Sequence, residues 1–438
     1  MNQQETAVTP IKSAKDKKEL NDAIAKIVAD LEHCEGQQDK GRLRSTTRNL
    51  ARIIENAPLC LGFSVHYDEF TADYVIGTPD GRLPLKKETV TAVIRMLTDH
   101  EYRPFAAGKL SMFMEMQEPD YTRLRDVLRM VGMNQPVDSL KECFLALPEW
   151  DGVPRVEKFF THYVPCDNPP EYLRLCALYL FTGACARAFE PGVKMDSVVT
   201  LIGPQGTRKS TVKEALAFDE KWQASIMLSK GVDKETNRMR VGLQWLEWAE
   251  LDRISDSKIE EIRDDLSKTH DQNRRMGVDY HDKLPRRFSS LGTANAERFL
   301  NDPAGNRRFF PVSVIAQCLI EEIKADRDQL YAEAMVYYRR DGMLPYWLAA
   351  EKLALVEHQR YLNTDPWEDK LREVVESNKY YRGVTNSDLN NELGIEGRYR
   401  DRKTQHRINT IMRSLGWRES TNVPKTCGGK GRGFLPPV

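Results

Sequence analysis

The stretch VVTLIGPQGTRKST, residues 198–211, decides how this chain reads. Val198 to Ile202 form an apolar, β-branched run that predicts a buried strand. Gly203 breaks the run and opens a short loop closing on Lys209, Ser210 and Thr211, followed by a helix-permissive segment, Val212 to Phe218. Strand, loop, helix is the layout that turns backbone N–H groups onto a polyphosphate and aims a lysine at its β and γ groups. Gly203 and Gly206 permit the tight turn and the close backbone approach. The expected nucleotide-binding residues are therefore Gly203, Pro204, Gln205, Gly206, Thr207, Arg208, Lys209, Ser210 and Thr211, with Ser210 placed to coordinate Mg²⁺. The pattern G-x-x-x-x-G-K-[ST] is met imperfectly, because Arg208 stands where the second glycine belongs. The competing reading is a surface turn that contains glycine and lysine.

Residues further along supply what a phosphate loop needs beside it. Leu243 to Asp252, LQWLEWAELD, is an apolar, strand-like run ending in acids. A carboxylate at the carboxyl end of such a strand holds Mg²⁺ through water and polarises the attacking water. Glu250 is best placed for that task; Glu247 is the alternative, and inside so apolar a run it requires a partner. An amphipathic helix with surface acids is the competing reading. A second strand, Arg287 to Asn295, ends in an amide suited to orienting the lytic water and sensing the γ-phosphate. Arg307 and Arg308 follow a Gly-Asn turn, which suits guanidinium groups presented to a phosphate or to a neighbouring subunit's nucleotide. Local pairing with acids such as Asp302 is the alternative. Between these strands, Arg274 to Pro285 alternates in the manner of a hairpin with His281 and Lys283 near its tip. In a ring that tip would face the pore and grip a phosphate backbone; an ordinary exposed turn fits equally well.

The bulk numbers bound the class. A length of 438 residues, 40% of them hydrophobic and 30% charged, predicts a soluble globular protein of two to three domains. Leu173 to Ala188, the most apolar stretch, is interrupted by Arg174 and Arg187 and so predicts a buried helix, not a membrane span. The polar N-terminus lacks the apolar centre of a secretory signal, and a cytoplasmic location is expected. The eight cysteines are scattered without a C-x-x-C, so neither a zinc ribbon nor a disulfide framework is expected. Net charge is zero, which confines any nucleic-acid binding to local patches. One such patch is visible: from Tyr380 onward there are eleven Lys/Arg against five Asp/Glu. Thr385-Asn386 reads as the cap of a short helix ending at Gly394. Lys403 to Leu415 places Ile408, Ile411, Met412 and Leu415 on one face, and the Gly-rich tail reads as a hairpin wing. A DNA-facing winged helix with Arg402, Lys403, His406 and Arg407 at the start of its second helix is expected; a helical cap with solvated charges is the alternative.

Taken together, these residues resemble the virulence-associated protein E family, superfamily 3 helicase-like ATPases of phages, prophages and phage satellites. The resemblance runs from Asn134 to Lys370 and rests on LPEWDGVPR (147–155), PGVKMDS (191–197), GPQGTRKST (203–211), WLEWAELD (245–252), GTANAERFLNDPAGNRRFFPV (292–312) and QLYAEA (329–334). It implies an α/β P-loop NTPase core, AAA+-like, at 146–345, preceded by a mixed α+β accessory domain at 1–145 and followed by a winged-helix-like module at 365–438. It implies ATP and Mg²⁺ as cofactors and an ATP-dependent DNA helicase-like motor in a bacterial host. Single-stranded and duplex DNA, a homo-hexameric ring and replication proteins of host or element are the implied partners, with no membrane. A non-motor, ATP-dependent initiator or helicase loader is the alternative function. By the same resemblance Lys209 and Ser210 match the first nucleotide motif, Glu250 or Glu247 the acidic one, Asn295 the sensor, and Arg307 or Arg308 an arginine finger. Asp271 and Arg274 match a D-x-x-R that lies between the acidic strand and the sensor. Arg208 in place of the usual glycine, and Arg275-Met-Gly-Val in place of a Pro-Tyr-Gly, are the departures.

Overall fold

A computed structural model describes residues 22–27, 29–35, 41–99, 116–227, 236, 239–253, 256–273, 282–295, 306–361, 366–424 and 429–437. The chain divides into two compact units, Met1–Ala296 with Arg307–Val356, and Glu297–Asn306 with Glu357–Val438. Regions 1–145 and 146–345 fall in the first unit, apart from 297–306.

The first unit begins with helices whose apolar spacing sets their inward faces. Helix α1 (Thr47–Glu55) is capped by Thr46, whose hydroxyl accepts from Asn49 N at 3.3 Å. Alternation over 63–77 becomes β1 (Ser64–Asp68) and β2 (Asp73–Thr78), antiparallel with Ser64 opposite Gly77. The Pro79-Asp80 turn then feeds β3 (Gly81–Pro84). Helices α2 (Lys87–Thr98) and α3 (Tyr121–Met133) follow, and β4 (Pro136–Val137) adds to β1 in parallel. Leu50, Ile53, Val90, Val93, Leu124 and Leu128, each three or four residues from a companion, share one core. Asp138 caps α4 (Ser139–Leu145) through Lys141 N at 2.9 Å, and its carboxylate also meets the Arg287 guanidinium at 2.6 Å. That ion pair ties the accessory part to the next layer.

Helix α5 (Pro170–Phe189) is buried around nearly its whole circumference. It has almost no polar face because it packs on α8 (Ile320–Asp341) and also reaches strand β10 of the sheet below. That sheet has five parallel strands: β5 (Val198–Ile202), β6 (Gln223–Met227), β7 (Trp245–Ala249), β10 (Ser289–Ala294) and β11 (Phe309–Ser313). Their order is β11-β5-β10-β7-β6. Strands β5, β7 and β10 are buried at every position, so their polar members, Thr200, Glu247, Ser289, Ser290 and Thr293, are buried with the apolar ones. Helix α6 (Thr211–Leu216) follows β5, and α7 (Asp256–Leu266) follows β7. The hairpin β8 (His270–Asn273) and β9 (Asp282–Pro285) then precedes β10; its first arm starts four residues before the alternation from Arg274 predicts. Helix α9 (Leu344–Tyr361) comes after α8.

A buried charge network holds the hairpin's base. Asp265 of α7 and Asp271 of β8 face Arg240 and Arg286, with Arg286 Nη2 at 3.0 Å from Asp265 and 2.7 Å from Asp271. Arg240 Nη1 lies 3.0 Å from Asp265, and its guanidinium stacks 5.2 Å from the Trp248 ring. All four side chains are almost fully out of water. The two charges of each sign therefore depend on one another.

In the second unit, α10 (Glu368–Glu376), α11 (Asn386–Glu392) and α12 (Arg402–Ser414) pack with the sheet β12-β14-β13, formed by β12 (Val384–Thr385), β13 (Arg418–Pro424) and β14 (Lys430–Leu435). Thr385 and Asp388 form a reciprocal capping box on α11. Ile408, Ile411 and Met412 are buried with Leu371, Leu389 and Phe434.

Asp265→Ala removes one acid from between two buried arginines. It is expected to lower stability by about 3–5 kcal/mol in urea denaturation, whereas exposed Lys324→Ala should shift it by less than about 0.5 kcal/mol.

Candidate functional site

Parallel strands bring the carboxyl ends of β5, β7 and β10 to one edge of the sheet, and β10 sits between the other two. Chain order reverses there, which opens a crevice at that edge. The loop leaving β5 begins at Gly203, whose N–H donates to Ala294 O at 3.2 Å. A Cβ at Gly203 would run into the Val314 carbonyl oxygen, so only glycine fits. Gly206 turns the chain with φ 91. Pro204, Gln205, Gly206 and Ser210 are exposed, and Thr211 is already the first residue of α6.

Lys209, 7% exposed, is drawn back into this loop. Its ammonium donates to Gly203 O (2.7 Å), Pro204 O (2.8 Å), Thr207 Oγ1 (3.3 Å) and Asn295 Oδ1 (3.4 Å). Burial pulls the ammonium below its ordinary value, against the opposing influence of Cys318, Asp252 and Glu247. The loop and the end of β10 thus converge on one cation.

Glu247 lies in β7, so the helix reading of this segment does not hold. Its Oε1 accepts from Thr293 Oγ1 at 2.9 Å, and its Oε2 accepts from Ser225 Oγ at 2.6 Å and pairs with Lys213 Nζ at 3.3 Å. The Ser210 hydroxyl is a further partner. Burial pushes this carboxyl up, but the hydroxyls of Ser210, Ser225 and Thr293 and the Lys213 charge outweigh it and hold it below its ordinary 4.5. Glu250 sits one residue beyond β7, half-buried, in the left-handed region with φ 55. Ser210 therefore adjoins Glu247, the carboxylate ranked second from sequence.

Three groups at the site escaped the sequence reading. Lys213, buried, also donates to Ser210 O at 3.1 Å; its signal was a lysine one helical turn beyond Ser210. Asp252 accepts from Asn295 N at 3.0 Å and so fixes the backbone there; it stands at the end of the acidic run. Cys318 N donates to Thr207 O at 3.0 Å, a tie that no local pattern announces.

Residues 140–364 match the Virulence-associated protein E-like domain. The chain belongs to that family. Every loop residue, both glutamates and Asn295 lie inside the matched span of this VapE-like domain. No curated protein matches the chain. Two solved apo structures of the NrS-1 C-terminal region, residues 305–718, share its fold. One, an A form, has a TM-score of 0.50 at 13% identity and the other 0.51 at 13%, each covering 88% of this chain and 98% of that one. The likeness to them is one of fold: mixed α/β with a parallel sheet.

Other predicted residues of the VapE-like domain lie elsewhere. Arg208 occupies φ 62, a conformation natural to glycine, and its guanidinium is directed at Glu321 of α8, 3.6 Å away. Arg307 (exposed) and Arg308 (half-buried) stand at the turn before β11. Phe309 pairs with Val198, the first residue of β5, so both arginines sit at the opposite sheet edge from the loop. Five residues at about 3.3 Å each put them roughly 16 Å from it. The structure does not bring them to the loop. Lys283 lies exposed within β9 opposite Gln272, inside the second arm of the hairpin. His281 and Arg274 are outside the described residues. In the second unit Arg402 and His406 are exposed on α12, one turn apart; Arg407 stands 3.8 Å from the Trp367 ring centre, and the Lys403 side chain is not among those described. Among the described residues no helix is long and apolar enough to cross a membrane.

Two outcomes follow from the backbone and the buried carboxylate. Arg208→Gly should raise stability by about 0.5–1 kcal/mol in thermal denaturation, since relief of the left-handed backbone at φ 62 outweighs the unfolded-state entropy that glycine adds. Glu247 has a folded pKa held below 4.5, so its contribution is complete above that value and is lost as pH falls through the folded pKa. The melting temperature of wild type should therefore fall more steeply below pH 4.5 than that of Glu247→Gln.

Proposed function

We propose that the first unit is a Mg²⁺-dependent ATP hydrolase of the P-loop class, with the AAA+-like core of superfamily 3 helicases, working as a DNA motor in replication of a phage or mobile element. The observation that carries this reading is the enclosure of the Lys209 ammonium by loop carbonyls and Asn295, with Ser210 beside Glu247. Strand β5, which leads into the loop, lies beside β10, which ends at Asn295, so loop and amide are neighbours at the carboxyl edge. Lys209 exchanges its loop carbonyls for β and γ oxygens, a substitution of one set of acceptors for more strongly charged ones. Asn295, anchored through Asp252, orients the attacking water, and Glu250 at the strand end accepts its proton.

The residues present fit a magnesium ion. Among the described residues no group of three or more His, Cys, Asp or Glu side chains is gathered to hold a metal alone. One hydroxyl and one carboxylate, Ser210 and Glu247, are what Mg²⁺ uses when phosphate oxygens and water complete its shell. Bound there, the ion would neutralise charge on the β and γ oxygens. Glu250 was the first choice for this role from sequence; the Ser210 contact favours Glu247.

Arg307, exposed at the far sheet edge, is suited to a neighbour's nucleotide and not its own, which supports a ring, a hexamer by family resemblance. Helix α11, helix α12 and the β13–β14 hairpin have the succession of a winged helix, and Arg402 and His406 would meet duplex DNA. The β8–β9 hairpin, with Lys283 on its second arm, would hold a single strand.

Lys209→Ala is expected to lower DNA-stimulated ATP hydrolysis and strand displacement at least about hundredfold, with duplex binding retained by the second unit. Hydrolysis equal to wild type would overturn the assignment.

A further inference from the structure

Lys213, the third residue of α6, is almost cut off from water: its side chain is 4% exposed. Its ammonium has three partners, Ser210 O at 3.1 Å, Glu247 Oε2 at 3.3 Å and Glu214 Oε1 at 3.5 Å. The two carboxylates differ sharply in setting. Glu247 lies in β7 and is 2% exposed, whereas Glu214, next to Lys213 on the helix, is 47% exposed. One ammonium thus stands between a buried acid and an acid in water.

The buried acid is already fully engaged. Its Oε2 is shared by the Ser225 hydroxyl and Lys213, and its Oε1 accepts from Thr293. With no metal bound, Glu247 needs the ammonium, because a buried charge without a partner is costly. A divalent cation on the same carboxylate adds two positive charges beside that ammonium, and like charges out of water repel strongly. The flexible stem of a lysine lets its charge move while the backbone stays in the helix. Glu214 is the partner within reach.

We infer that Lys213 is an exchangeable counter-cation, which neutralises Glu247 while no metal is bound and passes to Glu214 when Mg²⁺ arrives with a triphosphate. This rests on the reading of the loop as a triphosphate site with Glu247 facing its metal. Metal loading is then conditional on nucleotide, since the anionic charge of the triphosphate offsets the crowding of two cations. Lys213 is a positioning residue, acting on the metal through Glu247.

Two affinities of the full chain test the exchange. One is for Mn²⁺ alone, which suits the same oxygen ligands as Mg²⁺ and is followed by loss of its free-ion paramagnetic resonance signal. The other is for a non-hydrolysable ATP analogue preloaded with Mn²⁺, followed by calorimetry. Wild type should bind the loaded analogue and hold Mn²⁺ alone only weakly. Lys213→Met should gain about tenfold in affinity for Mn²⁺ alone, and adding Glu247→Gln should remove the gain. Glu214→Gln leaves the ammonium only the buried acid; it should weaken the loaded analogue about threefold and leave Mn²⁺ alone unchanged. Glu214 is exposed, so this variant decides the matter if Lys213→Met does not fold. No gain in folded Lys213→Met, a gain that survives Glu247→Gln, or wild-type behaviour of Glu214→Gln would overturn the exchange. A wild type that does not bind the loaded analogue overturns the loop reading instead.

Discussion

The contact between Glu247 and Lys213 sets the terms for the rest of the site. Both side chains are almost wholly excluded from water, 2% and 4% exposed, and they approach to 3.3 Å. A buried carboxylate or ammonium alone would be strongly unfavourable, and attraction repays desolvation only when remaining valences are satisfied. They are: the Ser225 and Thr293 hydroxyls donate to the carboxylate, and the nearby Ser210 hydroxyl also favours its charged form. Those groups come from the loop and strands β6 and β10, with Lys213 from α6. The pair therefore fixes the height of the helix above the sheet, and with it the place of the loop between them.

Strand order then determines which groups can meet. Because the sheet is parallel, everything leaving β5, β7, β10 and β11 at the carboxyl edge is gathered there, and everything entering at the amino edge is removed from it. Lys209, Asn295, Asp252 and the glutamates fall in the first group; Arg307 and Arg308 fall in the second. One topology thus yields a cradle on one edge and a projecting cation on the other. If the loop is the proposed hydrolytic site, that asymmetry leaves the arginines free to serve a neighbouring copy, which is the physical basis of the proposed ring.

Much of this was legible from residue order because the signals were local. The strand–loop–helix succession at 198–216 declares itself by a β-branched run, two glycines and a helix-permissive segment; α11 by Thr385 at its start; α12 by Ile408, Ile411 and Met412. What was not legible depends on pairing between strands. Glu250 reads as the better-placed acid, with Glu247 as the alternative; only register sets Glu247 opposite Ser225 of β6. Lys213 looks like a solvated helix lysine until the strand beneath supplies its carboxylate. Arg307 and Arg308 suit a phosphate of this chain or of a neighbour equally until the pairing of Phe309 with Val198 sets them at the edge away from the loop. The left-handed backbone at Arg208 explains why a glycine was expected there, and the guanidinium's turn toward Glu321 explains how the arginine is accommodated.

The central claim is that an ammonium, a hydroxyl, a carboxylate and an amide from four separate segments surround one triphosphate. A crystal structure of the full chain with Mg²⁺ and a non-hydrolysable ATP analogue addresses it directly. The account predicts the γ-phosphate between Lys209 and Asn295, with the Lys209 ammonium released from the Gly203 and Pro204 carbonyls and Ser210 and Glu247 facing the metal. Nucleotide bound away from this edge, or Lys209 still closed on its own loop with nucleotide present, would contradict it.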